Sequence, residues 1–323
     1  MNTILKMLAG GEFVSGEAIS RALGVSRAAV WKKIVALREQ GWQIESGGKR
    51  GYRLTAGDSL DPALWTGSLT TARYGRGENR YEREVTSTNT VIKEMALAGA
   101  PDGSVCVAEA QTAGKGRLGR AWSAPAGQGL WVSALLRPGI PPEHAPLITL
   151  CAAMAMARAV REAADVDVRI KWPNDLVCEA RKLCGILLEI SADPDRIEYV
   201  VVGTGVNMYS GAYPPELSGR AVSVEELTDG AVPLRREVLT RYLAALEELM
   251  DRLERQGFAG IAAEYRAQSC TLGSQVQVSG AVEMTGVAED IDGTGALLVR
   301  TDDGTLRRVL SGDVSVRGVM GYV

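Results

Sequence analysis

The chain predicts an α+β multidomain protein, and three observations carry that prediction. A basic N-terminal segment sets apolar residues at helical spacing around a short break. A long middle section alternates glycine-bounded β-rich runs with helical stretches, and the final section is a series of short β runs between turns. At 323 residues there is room for two or three cores, and the expected domains are 1–60, 61–270 and 271–323.

In the head, between Ser15 and Gly41, residues Ile19, Leu23, Val25, Val30, Ile34 and Leu37 recur at helical spacing around a Leu-Gly-Val-Ser break, the pattern of a helix-turn-helix. Gly24 suits the left-handed turn, and Ser26 suits an N-cap whose hydroxyl accepts an early backbone N–H. Val30, Ile34 and Leu37 then face the core. Arg27, Ala28, Trp31 and Lys32 are left outward near the start of the second helix, the region from which such helices meet base edges; Trp31 itself reads better as packing. Ser46 to Leu54 is a glycine-rich basic hairpin, a wing, whose Lys49, Arg50 and Arg53 suit DNA phosphates. Residues 1–57 carry nine Lys or Arg against four Glu, a net +5; the whole chain is −3, which leaves −8 on the rest. A basic head on an acidic body points to DNA as the head's partner, with a protein-docking adaptor as the plainer alternative.

From about Leu60 the body reads as mixed α/β, with β-rich runs at 104–109, 130–136, 168–171 and 199–206, a buried apolar helix at 146–164 and a buried strand within 182–189. That helix is interrupted by Arg158 and Arg161 and is short for a bilayer span. With no signal-peptide pattern at the start and no membrane partner expected, the expected compartment is the cytoplasm. Five scattered cysteines without a CxxC pair argue against a disulfide framework or zinc site and for a reducing compartment. His144 is the only histidine, which leaves one possible base for a Ser-His-Asp or Cys-His mechanism. No GxxxxGK[ST] string marks a P-loop.

Four motifs then follow in order. Residues 111–122, QTAGKGRLGRAW, set Gly114, Gly116 and Gly119 among Lys115, Arg117 and Arg120. Glycines at such positions allow positive φ and close backbone approach, so that N–H groups converge on an anion; alone, the stretch is equally a basic surface turn. Downstream stand KWPNDL at 171–176, KLCGILLE at 182–189 and GTGVNM at 203–208. A helix begins within Thr86-Ser87-Thr88-Asn89-Thr90, where the polar run is either a cap or a ligand set. In the tail, runs at 275–279, 282–289, 296–301 and 306–310, with a tight turn at Asp303-Gly304, predict a small SH3-like β-barrel.

This ordered set resembles the biotin protein ligases, whose pattern is GRGRxGR, KWPNDL, KxxGIL and GxGxN. With the head in front, the whole chain is similar to members of that family that also repress transcription. The resemblance implies a biotin/lipoate-ligase-like catalytic domain that uses ATP with Mg²⁺ carried on its phosphates, no dedicated metal cage, and biotin as substrate. Biotinyl-5'-AMP forms first, and biotin then passes to a lysine of a biotin carboxyl carrier protein. By the same resemblance, Ser87, Thr88, Asn89 and Gln111 hold the fused ring of biotin. Lys115, Gly116, Arg117 and Lys182 bind the acid, with Lys182, Arg117 and Asp175 the catalytic groups: the cations offset the anions, and Asp175 orients the incoming amine. Arg117, Arg120, Trp122, Asn174 and Asn207 face the adenylate, with Trp122 stacking on adenine or serving as a core aromatic. Gly185 admits the ligand, and the 311–317 segment with Arg317 closes the site. Lys115 departs from the family's arginine, keeping the charge but losing the planar two-pronged donor. The head implies operator DNA, and the loop implies adenylate-promoted dimerisation. Two rivals stand beside this: a lipoate or octanoate ligase, and a biotin-sensing regulator without ligase activity.

Overall fold

The computed structural model describes residues 3–8, 12–39, 44–54, 58–279, 283–310 and 313–316. The chain separates into two compact units, divided between Ser68 and Leu69.

In the first unit, α1 (Thr3–Leu8), α2 (Gly16–Leu23) and α3 (Arg27–Glu39) precede an antiparallel pair, β1 (Ile44–Ser46) and β2 (Tyr52–Leu54), and the short α4 (Pro62–Trp65). Ile19, Val30, Ile34 and Leu37 meet Ile4, Leu8, Ile44 and Leu54 in one core, as their spacing predicts. Gly24 takes φ +63° behind α2, and Ser26 accepts from the Ala29 N–H at 3.3 Å. Ser15 caps α2 by accepting from Ala18 at 3.1 Å. Ser15→Ala is expected to cost about 1 kcal/mol, read as a lower midpoint in chemical denaturation of the full chain.

One expectation for the head is corrected, and one expected DNA contact already has a partner. Trp31, read as packing, is 56% exposed and shares the outer surface of α3 with Arg27, Ala28 and Lys32. The helical period that buries Val30 and Ile34 turns it outward. Arg53, read as a phosphate contact, pairs with Glu45, its cross-strand neighbour, and stands 4.7 Å from the Phe13 ring centre. Lys49 and Arg50 are exposed, with the Arg50 guanidinium 4.1 Å from the same ring. The expected helix end at Gly41 lies outside the described residues.

In the second unit the order is β3 (Asn79–Val85), α5 (Thr88–Leu97), β4 (Val105–Gln111), β5 (Gly129–Leu136), α6 (Pro146–Ala164), β6 (Arg169–Lys171), β7 (Asp175–Cys178), β8 (Arg181–Ala192), β9 (Ile197–Asn207), α7 (Val224–Leu227), α8 (Arg235–Gln256) and α9 (Ala259–Gln268). Among the described residues these strands make one seven-stranded sheet, β3-β4-β5-β9-β8-β7-β6. β3 and β4 are parallel, joined by α5, and the other neighbours are antiparallel. On one face Ile92, Met95 and Ala96 of α5 pack on Cys106, Leu135 and Val201. On the other, Thr204 Oγ1 lies 3.1 Å from the Tyr242 hydroxyl of α8, and the buried α6 packs against α8. The two-residue period of a strand therefore puts Gly203 and Gly205 on the α5 face with Val201.

β8 is less buried than expected: within 182–189 only Leu183, Cys184 and Ile186 are buried. β7 pairs with β8 no further than Gly185, so the later part of β8 has β9 alone as a strand neighbour among the described residues.

The C-terminal section forms β10 (Gln275–Ser279), β11 (Met284–Ile291), β12 (Leu297–Thr301), β13 (Leu306–Val309) and β14 (Asp313–Val316). They pair antiparallel in the order β13-β12-β11-β10-β14, an SH3-like arrangement, and Gly304 turns the expected hairpin at φ +80°. Trp172 fastens this sheet to the body: its backbone N–H donates to Thr271 Oγ1 at 2.8 Å and its indole N–H to the Gly295 carbonyl at 3.1 Å. Of the closing segment, Ser311, Gly312 and Arg317 lie outside the described residues. Among the described residues no helix is long and apolar enough to cross a membrane, and the five cysteines are free thiols.

Candidate active site

On the α5 face of the sheet lies a cavity of about 660 Å³, walled by the start of α5, the 111–122 loop, the segment 171–175, parts of β8 and β9, and Ser279, Val314 and Ser315 of the C-terminal sheet. Ser87, Thr88, Asn89, Gln111, Lys115, Gly116, Arg117, Arg120, Trp122, Asn174, Asp175 and Lys182 all line it. Among the described residues the lining carries six cations, Lys115, Arg117, Arg120, Lys171, Lys182 and Arg220, against one carboxylate, Asp175. That imbalance suits polyanionic ligands.

The loop is a closed hairpin. Gly116 N–H donates to the Arg120 carbonyl at 2.7 Å, Arg120 N–H to Arg117 at 3.2 Å and Trp122 N–H to Gly114 at 2.9 Å. Those three amides are bound within the loop and so do not converge on an anion. Only Gly119 of the three glycines has a positive φ, +73°, and a side chain at Gly114 would stand 2.5 Å from the Trp122 carbonyl. Leu118 occupies the exposed tip in the left-handed region, φ 55°.

The KWPNDL and KLCGILLE motifs are brought together by β7–β8 pairing. Lys182 Nζ stands 2.7 Å from Asp175 Oδ1, with both side chains mostly buried. Arg117 reaches across from the loop and donates to Asn174 Oδ1 at 3.0 Å, while Asn174 Nδ2 donates to the Ile186 carbonyl at 2.8 Å. Asn207 departs from expectation. It is 3% exposed and absent from the cavity wall, donating instead to the carbonyls of Val222 at 3.2 Å and Lys182 at 3.4 Å. With Lys182 N–H on the Arg220 carbonyl at 2.7 Å and Val222 N–H on the Lys182 carbonyl at 2.9 Å, it pins the backbone that carries Lys182.

The Ser87-Thr88-Asn89 run is not simply a cap, because Ser87 holds the N-cap position of α5 with no side-chain capping bond. Thr88 N–H donates to Gln111 Oε1 at 2.8 Å. Asn89 is committed at both ends: Nδ2 donates to Glu189 Oε2 at 2.7 Å, and Oδ1 accepts from Ser133 at 2.6 Å. Lys93 also donates to Glu189. Burial raises the Glu189 pKa, but the hydrogen bonds from Lys93 and Asn89, with the charges of Lys93 and Lys115, bring it below the ordinary carboxylate value.

Gly185, expected to admit a ligand, lines the cavity together with Gly203 and Gly205 of GTGVNM, and all three also make room for neighbouring side chains. A side chain at Gly203 would overlap Asn89. At Gly185 and Gly205, which are paired across the sheet, it would stand 2.9 Å and 2.7 Å from the Trp122 indole. Trp122 thus lies partly buried on a glycine floor, edge-on to Trp131 at 6.4 Å and 5.2 Å from Lys182 Nζ. Its indole N–H has no hydrogen-bond partner among the described residues.

Sequence reasoning missed Ser133, Glu189, Lys93 and Arg220. Ser133 had a signal, a lone hydroxyl inside a strand that is buried throughout. Arg220 had none, since it sits in an irregular segment without a motif.

A mixed sheet carrying a cation-rich cavity, with a helix-turn-helix unit before it and a five-stranded sheet after it, defines a class: an enzyme body for anionic substrates joined to a DNA-binding module. The pattern of the Biotin/lipoate A/B protein ligase family matches residues 81–207, that of the HTH domain residues 1–53, and that of the Biotin protein ligase C terminal domain residues 271–317. The bifunctional ligase/repressor BirA of Bacillus spizizenii is 34% identical over 316 residues, 95% of each chain. That of Escherichia coli K12 is 30% identical over 317 residues, 97% of this chain and 96% of its own. Among solved structures, the Aquifex aeolicus biotin protein ligase in complex with biotin and ATP superposes with a TM-score of 0.63 at 29% identity, covering 74% of this chain and 98% of its own. The chain belongs to the family of bifunctional ligase/repressors named BirA.

Proposed function

We propose that the chain is an ATP-dependent biotin protein ligase that makes biotinyl-5'-AMP, transfers biotin to a lysine of a biotin carboxyl carrier protein, and represses transcription through its head in response to biotin. The observation that carries the catalytic half is the single cavity in which the cationic loop, the Lys182–Asp175 pair and the polar wall of Thr88 and Gln111 converge. A biotin carboxylate oxygen attacks the α-phosphorus of ATP, the bond to the bridging oxygen breaks, and pyrophosphate leaves. No protein nucleophile is needed, so the chain's task is to position two anions and offset their repulsion. Lys115, Arg117 and Lys182 do this, with Arg120, Asn174 and Trp122 on the nucleotide side. In the second step the carrier's neutral lysine amine attacks the acyl carbon, AMP departs with the bonding electrons, and Asp175 orients the amine that loses its proton.

Among the described residues no group of three or more His, Cys, Asp or Glu is arranged to hold a metal. One lining carboxylate fits an ion carried in on the triphosphate, so Mg²⁺ supplies charge neutralisation when bound. The proposed division is a DNA-binding head at 1–60, a ligase domain at 61–270 and a closing domain at 271–323, with a dimer promoted by the adenylate.

The test mixes the purified protein with labelled ATP, Mg²⁺ and biotin, or lipoate in parallel, and then adds an apo carrier domain. A bound adenylate with biotin alone, discharged onto the carrier, is expected. Adenylate with lipoate instead would make it a lipoate ligase, and none with either would leave a ligand-sensing regulator. For the head, Arg50→Ala is expected to lower the salt dependence of DNA binding by about one phosphate contact; an unchanged slope would remove the wing from the DNA.

A further inference from the structure

Resting on the biotin-ligase reading, we infer that Glu189, behind the cavity wall, fixes the hydrogen-bond polarity of that wall and so makes it select a urea. An ionised carboxylate only accepts hydrogen bonds, so the Asn89 atom 2.7 Å from Glu189 is its NH₂ group, and its carbonyl oxygen faces Ser133. Ser133 has one hydroxyl hydrogen and two close oxygen neighbours, Asn89 Oδ1 at 2.6 Å and Thr88 Oγ1 at 2.7 Å. The amide oxygen cannot donate, so the Ser133 hydrogen goes to it, and the Thr88 hydroxyl turns its own hydrogen to Ser133. Gln111 is fixed independently: a backbone N–H, that of Thr88, points at its Oε1 from 2.8 Å, which sets its NH₂ group on the other side.

The wall then presents two hydrogen-accepting oxygens, Thr88 Oγ1 and Gln111 Oε1, 3.2 Å apart, beside the Gln111 amide donor. A urea edge carries an N–H and a carbonyl in the complementary order. An aliphatic acid such as lipoate has neither group to satisfy them and leaves buried polar atoms unpaired. Lys93, donating to Glu189, holds the carboxylate that orders the chain. Gly203 makes room for Asn89 to bridge Glu189 and Ser133. Glu189 touches no substrate; it is a positioning residue.

Glu189→Gln keeps the shape and removes the constraint. A glutamine accepts or donates, Asn89 is free to turn, Ser133 then donates to Thr88, and the Thr88 hydrogen closes on Gln111 Oε1, so that the acceptor pair is lost. The experiment is calorimetric titration of the full-length protein and its variants with biotin and with lipoate, beside a thermal melt. Biotin affinity is expected to fall roughly 10- to 100-fold in Glu189→Gln, with lipoate affinity changed less than about twofold and the melt retained. Ser133→Ala cuts the relay and weakens biotin relative to lipoate by itself. In that background Glu189→Gln adds less than about a twofold effect, because coupled residues are not additive. Biotin affinity within twofold of wild type in Glu189→Gln overturns the inference, as does an equal loss for both acids, or a full Glu189→Gln penalty persisting without Ser133. If Glu189→Gln does not fold, the biotin-to-lipoate ratio of Ser133→Ala decides. Adenylate formation is followed in the same samples: biotin bound without adenylate defeats the ligase reading and leaves this one standing.

Discussion

Lys182→Ala is expected to lower biotinyl-adenylate formation by roughly 10²- to 10³-fold, the loss that follows removal of one preorganised charge from a reacting centre. Its ammonium stands 2.7 Å from Asp175 and lies over the Trp122 indole. Backbone hydrogen bonds at 2.7 and 2.9 Å hold its segment against residues 220–222, so the charge is in place before substrate arrives. The substitution also strands the Asp175 carboxylate, which adds a like charge where two anions must meet. Asp175→Asn in the Lys182→Ala background is therefore expected to recover part of the first step while impairing transfer to the carrier. ATP–pyrophosphate exchange reads the first step alone, and a thermal melt checks the fold. Exchange within threefold of wild type in Lys182→Ala would take Lys182 out of the chemistry.

Much of the fold was legible because it follows from period and turn chemistry. Gly24 and Ser26 announce a turn and a cap, and Ile19, Val30, Ile34 and Leu37 announce a core, and these are local properties. The residues collected around the cavity were legible through motif resemblance: from Ser87 and Gln111 to Asp175 and Lys182 they line it, whereas Asn207 does not and Arg317 lies outside the described residues. What could not be read was how each side chain is used there. Asn207 was assigned a ligand amide by the family resemblance alone; which carbonyls it meets depends on a segment thirteen to fifteen residues further along the chain. Glu189 ends an apolar run and was read only as the last residue of a buried strand. Its importance comes from Asn89 and Lys93, about a hundred residues earlier, across a sheet whose pairing no local pattern encodes. The burial of β8 was overestimated for the same reason, since the length of its neighbour β7 sets it.

The glycines of β9 give the second large effect, and they separate two substrates along one strand. Gly203 and Gly205 face the same side, two residues apart. Alanine at Gly203 would drive its methyl group into Asn89, which is anchored at both ends of its amide. With no free direction to move, the start of α5 must shift and take Thr88 with it. Overpacking of this kind costs about 1–3 kcal/mol, so KM for biotin is expected to rise up to roughly 100-fold, with a small change for ATP. Alanine at Gly205 would stand 2.7 Å from the Trp122 indole nitrogen. That ring belongs to the loop and, among the described residues, makes no hydrogen bond through its nitrogen, so it can lift. The loop then closes less well over the nucleotide, and KM for ATP is expected to rise roughly 10-fold while biotin binding is largely kept. Initial rates with each substrate varied against saturating partner distinguish the two. Identical changes in both constants for both variants would mean that the glycines serve only strand packing, and that the two ends of the cavity are not separately addressed by β9.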